Sequence, residues 1–392
     1  MPIAVAGCGA LTAAGPGLAS LLAAVAANAS ALQTRAYVLG RTTQAIVAGY
    51  VPADVVAALR AADPAHADAR AFLFAAAALD EAAANAGDRL AAVPPARRGF
   101  VLATTKANID ALDQLVRRQP VSTVAQRQLQ PALLAADLAA RYACRGPVQC
   151  VSAACVSGLL ALGQGVALIR RGLADAVWVA GVDLISHFVL AGFTALKSLD
   201  PEGCRPFDRA RVGLSLGEGA GAVILVRADL LAPPHIRLKG TGSSNDANHL
   251  TGPSRDGSGL ALAIQRALAA ARLAPDQIDF INAHGTGTPY NDNMEALALR
   301  SVFGERVPPF NSNKGLTGHL LGAAGVLETT LCVAALQTGR LPGTPRLRER
   351  DPVAPASLLA EPRAADRLER VLKINCGFAG TNAALILERY PS

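Results

Sequence analysis

The chain has 392 residues, of which 51% are hydrophobic and only 17% are charged, and its formal net charge is +7. This balance excludes an intrinsically disordered protein, and the length exceeds the ~250–300 residues at which a single hydrophobic core usually stops growing. We therefore expect two domains, or one large unit made of two halves. The core should be mainly aliphatic, since aromatic residues make up 4% of the chain.

Strand-like apolar runs alternate along the chain with longer, Ala-rich helical segments. The first strand is predicted at the N-terminus, where "MPIAVAGCGALTAAG" contains a buried run that ends at a turn. Further strands are predicted at 99–105, 176–184, 221–226, 278–285 and 383–390, and helices at 70–86, 157–171, 258–273 and 321–338. This alternation favours a layered α/β fold.

Two parts of the chain are alike in topology. A loop rich in small residues that carries Cys155 precedes one long apolar helix, and "NSNKGLTGHLLGAAG" (311–325) precedes another. We therefore expect an internal duplication, with its boundary near the point where Pro233–Pro234 interrupts the pattern. The predicted halves are residues 1–230 and 231–392.

Composition and cysteine usage also indicate the cellular setting. The longest apolar runs are interrupted by polar residues and fall short of the ~20 apolar residues that a membrane span needs. The N-terminus lacks the charged start of a signal peptide. The seven cysteines include no CxxC pair, which predicts neither a disulfide framework nor a zinc site and favours the cytoplasm. Basic residues are dispersed without aromatic interleaving, so we expect an acidic protein partner and no nucleic acid.

The segment "QCVSAACVSGLL" (149–160) contains two cysteines whose positions predict different roles. Cys150 lies in a strand-like run, which is typical of an ordinary buried thiol. Cys155 directly precedes an apolar helix, where free backbone N–H groups and the helix dipole favour the thiolate and would lower the thiol pKa below ~8.5. The sequence therefore predicts Cys155 as the nucleophile.

Two of the six histidines lie in glycine-rich segments. His284 follows a predicted strand in "NAHGTGTPYND" (282–292), and His319 lies in "KGLTGHLLGAAG" (314–325). Together with a candidate thiolate they indicate Cys–His chemistry. Because no carboxylate partner is evident for either ring, we expect neutral N–H donors rather than the base of a protease-like triad.

Near the C-terminus, "INCGFAGTNAALIL" (374–387) predicts a strand, a glycine-rich turn and a second strand. Gly377 and Gly380 allow a backbone conformation that aims N–H groups into a cavity, and Phe378 would form a wall of that cavity. A plain hairpin is the alternative interpretation.

Five motifs, in order along the chain, are similar to those of the β-ketoacyl–acyl carrier protein synthases, the elongating condensing enzymes of the thiolase superfamily. They are "SAACVSG", "CRPFDRARVGLSLGEGAGAVIL", "NAHGTGTPYND", "NSNKGLTGHLLGAAG" and "NCGFAGTN", and they extend over nearly the whole chain. The resemblance implies an α/β, thiolase-like fold of five layers, α-β-α-β-α, built from two duplicated halves. It also implies a homodimer, or a heterodimer with a related ketosynthase-like subunit.

The resemblance further implies a role for individual residues. Cys155 would accept the acyl chain, and His284 and His319 would drive decarboxylation. Lys314 would lie beside the second histidine, with Glu328 as its carboxylate partner. Phe378 would be a gating aromatic that completes an oxyanion hole with Cys155. Thr286 and Thr288 would hold the phosphopantetheine arm, and the contacts for an acidic acyl carrier protein would be Arg205, Arg209 and Arg211. For these arginines, internal pairing with Asp208 or Glu218 is the alternative.

The implied reaction joins the acyl group on Cys155 to malonyl-acyl carrier protein with loss of CO₂, without a metal or redox cofactor. The product would serve fatty acid or type II polyketide synthesis, and "ATTKANID" (103–110) is similar to ketosynthases of aryl polyene pathways. Ala379 stands where the family commonly has a second glycine, which leaves the chain length open. The alternatives are a non-catalytic chain-length partner subunit, a thiolase, and an acyltransferase that loads Cys155 without condensing.

Overall fold

The computed structural model describes residues 1–232 and 235–390. The strands are β1 (Ile3–Thr12), β2 (Gly15–Pro16), β3 (Gln33–Leu39), β4 (Thr42–Ala48), β5 (Arg98–Ala103), β6 (Val148–Val151), β7 (Ala176–Asp183), β8 (Gly219–Arg227), β9 (His235–Asn245), β10 (Phe280–Asn282), β11 (Phe310–Asn311), β12 (Arg340–Leu341), β13 (Arg363–Ala364), β14 (Arg370–Gly377) and β15 (Thr381–Tyr390). The helices are α1 (Gly17–Ala26), α2 (Ala53–Ala62), α3 (Arg70–Ala86), α4 (Ile109–Val116), α5 (Thr123–Arg127), α6 (Pro131–Arg141), α7 (Ser157–Arg170), α8 (His187–Ala195), α9 (Ser258–Ala271), α10 (Pro289–Phe303), α11 (Lys314–Thr317) and α12 (Ala324–Thr338).

The apolar runs of the sequence account for the main elements. Each predicted strand and helix is present, because these runs are long enough to cross a buried layer. The largest difference is β10, which covers only Phe280–Asn282 of the predicted 278–285. The predicted boundary at Pro233–Pro234 lies outside the described residues.

The two halves of the chain repeat one strand order. The order is β6-β5-β7-β8-β1 in the first half and β11-β10-β14-β15-β9 in the second. In each half the first three strands of this order are parallel, and the last two run antiparallel to their neighbours. Order and direction both repeat, so the two halves are a structural duplication. β1 and β9 pair where Ile3 faces Leu238, which joins the two halves through their sheets.

Helices cover these sheets in alternating layers. α3 packs on β1 and β8, and α9 packs on β9 and β15. α7 and α12 lie between the two sheets, where α12 contacts strands of both halves. Each helical layer has its own apolar cluster, and the central cluster includes Leu162, Val326 and Leu385. Burial of each such side chain contributes about 1.5–3 kcal/mol to the stability of the fold. The expected five layers are thus observed.

α7 and α12 cross in the central layer at two glycines, and this crossing positions the candidate site. A Cβ atom on Gly158 would lie 2.6 Å from a backbone nitrogen of α12, and one on Gly325 would lie 2.7 Å from a backbone nitrogen of α7. Only glycine lets the two backbones approach so closely. As a result, Cys155 before α7 and His319 before α12 meet in one region.

One helical stretch, Leu321–Thr338, is long and apolar enough for a membrane span by length and composition. It contains α12, and 89% of it is buried inside the protein. The burial of α12 between two sheets accounts for its apolar character.

Candidate active site

Cys155 lies in the loop between β6 and α7, at the carboxyl ends of the parallel strands. Ala154 before it has a φ of 49°, in the left-handed region that non-glycine residues rarely adopt. This turn directs Cys155 toward the central layer, where it is 8% exposed. Cys150 lies within β6, half-buried against the outer apolar cluster, in agreement with its predicted role as an ordinary thiol.

Cys155, His284 and His319 meet from three separate loops. The Cys155 sulfur and one ring nitrogen of each histidine lie within 4.8 Å of one another. The two imidazole rings meet edge to face, with their centroids 5.1 Å apart. The structure thus brings together the predicted nucleophile and the two histidines that were predicted from the sequence.

Burial dominates the protonation of all three groups. It raises the pKa of the Cys155 thiol to about 11, although the charges of Lys314 and Lys106 act in the opposite direction. Burial and the Lys314 charge lower the pKa of His319 to about 3 and that of His284 well below its ordinary value. The site therefore holds two neutral imidazoles near pH 7, as expected. The expected lowering of the Cys155 pKa is wrong for the substrate-free protein, because desolvation of the thiolate outweighs the effect of the helix N-terminus.

Glu328 is a buried carboxylate that pairs with two lysines next to His284. Its Oε1 accepts a hydrogen bond from Lys314 Nζ at 2.6 Å, and its Oε2 lies 2.7 Å from Lys373 Nζ. Burial alone would raise the pKa of this carboxyl group, but the two ammonium groups lower it to about 2. Lys314 Nζ also donates to the backbone oxygen of His284 at 2.6 Å, which ties the ion pair to the histidine loop.

Lys373 and Asn375 were not predicted from the sequence as site residues, although both contact Glu328. They are two residues apart in β14, so their side chains lie on the same face of that strand. Asn375 Nδ2 lies 3.2 Å from Glu328 Oε2 and 2.9 Å from His284 Nδ1. The available signal was a lysine and an asparagine within the apolar run "VLKIN", each fully buried in the structure.

The turn between β14 and β15 closes the site beside Cys155. The backbone of Phe378 acts on the Cys155 thiol in the direction that favours the thiolate. A Cβ atom on Gly377 would lie 3.3 Å from the Cys155 backbone nitrogen, so the two loops are in close contact. The Phe378 ring stacks on Phe193 with centroids 6.0 Å apart. The predicted strand-turn-strand is present, and its turn faces the nucleophile.

Thr286 and Thr288 lie directly after His284 in the same loop. Their hydroxyl oxygens are 2.9 Å apart, and the Thr286 backbone N–H donates to Asp292 Oδ1 at 3.1 Å. Thr286 is 5% exposed and Thr288 is half-buried. The Thr286 hydroxyl oxygen also accepts a hydrogen bond from the Thr288 backbone N–H at 3.3 Å, so the two threonines form one local hydrogen-bonded group.

Two of the three arginines expected on a docking surface are buried. Arg205 is 7% exposed and lies 3.5 Å from Asp200, and Arg211 is 5% exposed and lies 2.6 Å from Asp351. The expectation of a carrier contact is wrong for both, because their guanidinium groups are committed to carboxylates inside the protein. Internal pairing was the alternative, but the carboxylates differ from the two that the sequence suggested. Arg209 is exposed.

The donor atoms of Cys155, His284 and His319 are also of the kinds that bind Zn²⁺. Lys314 and Lys373 share the single negative charge of Glu328, however, and so leave the site with excess positive charge. This charge opposes the binding of a cation and favours anionic groups such as a thiolate or an enolate.

Comparison with known proteins gives the family. The profile described as "Beta-ketoacyl synthase, N-terminal domain" matches residues 1–230, and "Beta-ketoacyl synthase, C-terminal domain" matches residues 235–348. The chain is 35% identical over 334 residues to the tetracenomycin polyketide synthase ketoacyl synthase alpha subunit of Streptomyces glaucescens, which covers 79% of this chain and 78% of that protein.

The chain is also 36% identical over 263 residues to the mitochondrial 3-oxoacyl-[acyl-carrier-protein] synthase of Arabidopsis thaliana. This match covers 63% of the chain and spans only 57% of the Arabidopsis protein. Among solved structures, a chain of the complex of the ketosynthase ApeO with its chain length factor ApeC from Xenorhabdus doucetiae matches with a TM-score of 0.87 and 30% identity. That match covers 99% of this chain and 98% of the other.

The chain therefore belongs to the β-ketoacyl synthase family and has its thiolase-like fold. This confirms the resemblance that the five sequence motifs indicated.

Proposed function

We propose that the protein catalyses a decarboxylating condensation between an acyl chain held on Cys155 and malonyl-acyl carrier protein, with 3-oxoacyl-acyl carrier protein as the product. The observation that carries this proposal is the convergence of a buried thiol and two neutral imidazoles within 4.8 Å of one another, with the backbone of Phe378 beside the thiol. The name of the Arabidopsis relative, a 3-oxoacyl-[acyl-carrier-protein] synthase, supports the choice of substrate and product.

In the first step Cys155 takes an acyl chain from a carrier thioester. Because burial keeps the thiol protonated near pH 7, its proton passes to a neutral imidazole while the sulfur attacks the thioester carbon. The backbone N–H groups of Cys155 and Phe378 hold the resulting oxyanion. Loss of one such donor typically costs ~10²–10³ in rate. The carrier thiolate then leaves and takes the proton from the imidazole.

In the second step malonyl carrier occupies the same cavity. The bond to its carboxylate breaks, CO₂ leaves, and the electron pair moves toward the thioester oxygen to form an enolate. N–H groups of His284 and His319 donate to that oxygen. The enolate carbon then attacks the acyl-Cys155 carbonyl, a new C–C bond forms, and Cys155 leaves as a thiolate that takes a proton from water.

We propose that the surrounding residues hold the carrier arm. The hydroxyl groups of Thr286 and Thr288 would bind the phosphopantetheine, and exposed Arg209 would contact the acidic carrier surface. The described chemistry uses groups of the chain and its substrates, with no metal or redox cofactor. We also propose a cytoplasmic location, supported by seven cysteines that all lie in the described residues as free thiols.

We further propose that the protein forms a dimer through β6. Among the described strands, β6 pairs only with β5, so its other edge is open, and Val148 in it is 41% exposed. An open edge of this kind is a template for pairing with another chain. The partner would be a second copy or a related ketosynthase-like subunit, as in the complex of ApeO with ApeC. The repeated strand order supports the division of the chain into residues 1–230 and 231–392.

A non-catalytic chain-length partner subunit is the second candidate function, because the ApeO–ApeC complex contains both kinds of chain. The chain described here keeps a nucleophile and both histidines in contact range, which a purely structural partner does not need. Two other activities remain as alternatives: a thiolase that acts without decarboxylation, and an acyltransferase that only loads Cys155. An experiment distinguishes both of them from the proposed condensation.

Mass spectrometry of the purified protein provides that experiment. Incubation with acyl carrier substrate should add the acyl mass to Cys155, and addition of malonyl carrier should release CO₂ and a chain longer by two carbons. Cys155→Ala should remove the modification, whereas Cys150→Ala, the matched control, should retain it. Acylation without CO₂ release would indicate an acyltransferase, and modification of Cys150 or Cys376 would contradict the proposed nucleophile.

A further inference from the structure

Asn375 is a fully buried amide that bridges Glu328 and His284. One atom, Nδ2, lies within hydrogen-bond distance of both partners, 3.2 Å from Glu328 Oε2 and 2.9 Å from His284 Nδ1. An amide nitrogen carries two hydrogens, so it can serve both acceptors at once. Asn375 is therefore the direct link between the buried charges and the histidine ring.

Glu328 determines which end of the amide faces it. The carboxylate bonds to Lys314 and Lys373 as an anion and can only accept hydrogen bonds. An Asn375 rotated by 180° would place Oδ1 against Oε2 and set two acceptors in contact. The observed orientation even leaves Oδ1 without a partner among the described residues. The hydrogen bond from Nδ2 to the carboxylate thus stabilises this orientation by more than the unpaired Oδ1 destabilises it.

The orientation of the amide in turn determines the tautomer of His284. Since Asn375 presents an N–H to Nδ1, that ring nitrogen must be the acceptor, and a neutral ring then carries its proton on Nε2. We propose that Asn375 is a positioning residue that holds His284 in the Nε2–H form, as a hydrogen-bond donor to the substrate oxygen, with Glu328 as the anchor of the amide.

His319 lacks such a constraint. Neither of its ring nitrogens has a hydrogen-bond partner in the part of the chain that the structure describes, and the residue is 1% exposed. Its ring can therefore present either a lone pair or an N–H to the cavity. This assigns different tasks to the two histidines: His284 acts only as a donor, to the substrate oxygen in the second step, whereas His319 also accepts the Cys155 proton during acyl transfer.

This assignment rests on the proposed function, because it gives each histidine a task within the condensation. The tautomer itself is measurable without turnover. In protein labelled with ¹⁵N-histidine, the ring-nitrogen shifts distinguish a bare Nδ1 from a protonated one, and the His284 signals are identified by their loss in His284→Gln. The expected result for the unmodified protein is a bare Nδ1 and a protonated Nε2.

Asn375→Leu removes the donor and keeps a side chain of similar size. The expected result is a roughly 10²-fold lower kcat for decarboxylation of malonyl-pantetheine with little change in KM. The acylation rate of Cys155 should be retained, since His319 performs that proton transfer. Asn375→Asp offers Nδ1 an acceptor and should move the His284 proton to Nδ1 in the ¹⁵N spectrum.

Asn382→Leu is the matched control. Asn382 is also a buried amide that donates to a carboxylate, with its Nδ2 2.7 Å from Asp246 Oδ1, but it does not contact a histidine. Its loss should leave the His284 tautomer unchanged.

A protonated Nδ1 in the unmodified protein would overturn the proposal, as would full decarboxylation activity in Asn375→Leu. If Asn375→Leu does not fold, the spectrum of the unmodified protein still decides. Absence of decarboxylation by the unmodified protein would refute the proposed function, while its spectrum would decide the tautomer separately.

Discussion

Replacement of Glu328 by glutamine should lower the free energy of unfolding by about 3 kcal/mol. The substitution keeps the shape of the side chain and removes the negative charge that Lys314 and Lys373 share. Both lysine side chains are at most 1% exposed. Among the described residues neither lysine forms another ion pair, so two buried ammonium groups would lose their counter-charge.

The magnitude follows from the carboxyl pKa. The ordinary value of 4.5 falls to about 2 in the folded protein. This difference of about 2.5, at ~1.36 kcal/mol for each, amounts to about 3 kcal/mol. Because the folded pKa is the lower one, Glu328 contributes its full stabilisation above pH ~4.5 and loses it as the pH falls toward about 2. Its burial means that solvent screening does not reduce this contribution.

Urea unfolding at pH 7, followed by the fluorescence of the single tryptophan, Trp178, measures the effect. Glu388→Gln is the matched control, since Glu388 also bonds to two cations, Lys239 at 2.9 Å and Arg370 at 3.0 Å. Those cations are 36% and 21% exposed, so water can replace the lost partner. The control should therefore lose only about 1 kcal/mol or less.

The double variant Glu328→Gln/Lys373→Met separates a charge effect from a packing effect. Methionine removes one of the two uncompensated ammonium groups and keeps the side-chain volume. The double variant should therefore be more stable than Glu328→Gln alone. The reasoning would be refuted if Glu328→Gln were no less stable than the Glu388→Gln control, or if Lys373→Met deepened the loss.

Three further predictions concern the nucleophile and the helix crossing. The rate at which iodoacetamide alkylates Cys155, measured by mass spectrometry, should keep rising as the pH approaches about 11, because burial raises the pKa of the thiol. A rate that reaches a plateau below pH 9 would contradict this. Lys106→Met should shift that alkylation curve to higher pH, because the variant loses a charge that favours the thiolate, and an unmoved curve would show that Lys106 does not act on the sulfur. Gly158→Ala should cost about 1–3 kcal/mol in thermal unfolding, because its Cβ would lie 2.6 Å from backbone of α12. Gly163→Ala in the same helix, where a Cβ meets nothing within 4 Å, should cost nothing, and equal melting temperatures would refute the crossing argument.

Patterns in the sequence were sufficient to predict the layered fold and to select a thiol and two histidines, and the family resemblance added Lys314 and Glu328. The strands and helices could be predicted because each crosses a buried layer and is apolar over its length. Cys155, His284 and His319 could be selected because a reactive side chain in a loop of small residues is seldom required for packing. Each of these signals is local in the chain.

What the sequence did not predict depends on contacts between distant segments. Lys373 and Asn375 interrupt an apolar strand, and their contacts with Glu328 form only when β14 packs beside α12. Arg211 pairs with Asp292 and Asp351, which are far away in the chain, so its carboxylate partners could not be identified from the sequence.

The pKa of the Cys155 thiol was misjudged for a related reason. A helix N-terminus is visible in the sequence, whereas the loss of water around the sulfur depends on all the loops that close over it. Local sequence thus indicates which group could react, whereas packing determines whether that group is charged in the folded protein.

The position of Lys314 shows how one charge can serve both halves of the duplicated fold. Its ammonium group favours the thiolate of Cys155, from the first half, and disfavours the imidazolium forms of His284 and His319, from the second. Both effects act in the direction that the proposed mechanism requires, because an imidazolium could not accept the thiol proton. Glu328 keeps this lysine in place without cancelling its charge, since Lys373 shares the same carboxylate. The positive charge of Lys314 therefore partly offsets the burial that raises the pKa of Cys155, and it adds to the burial that keeps both histidines neutral.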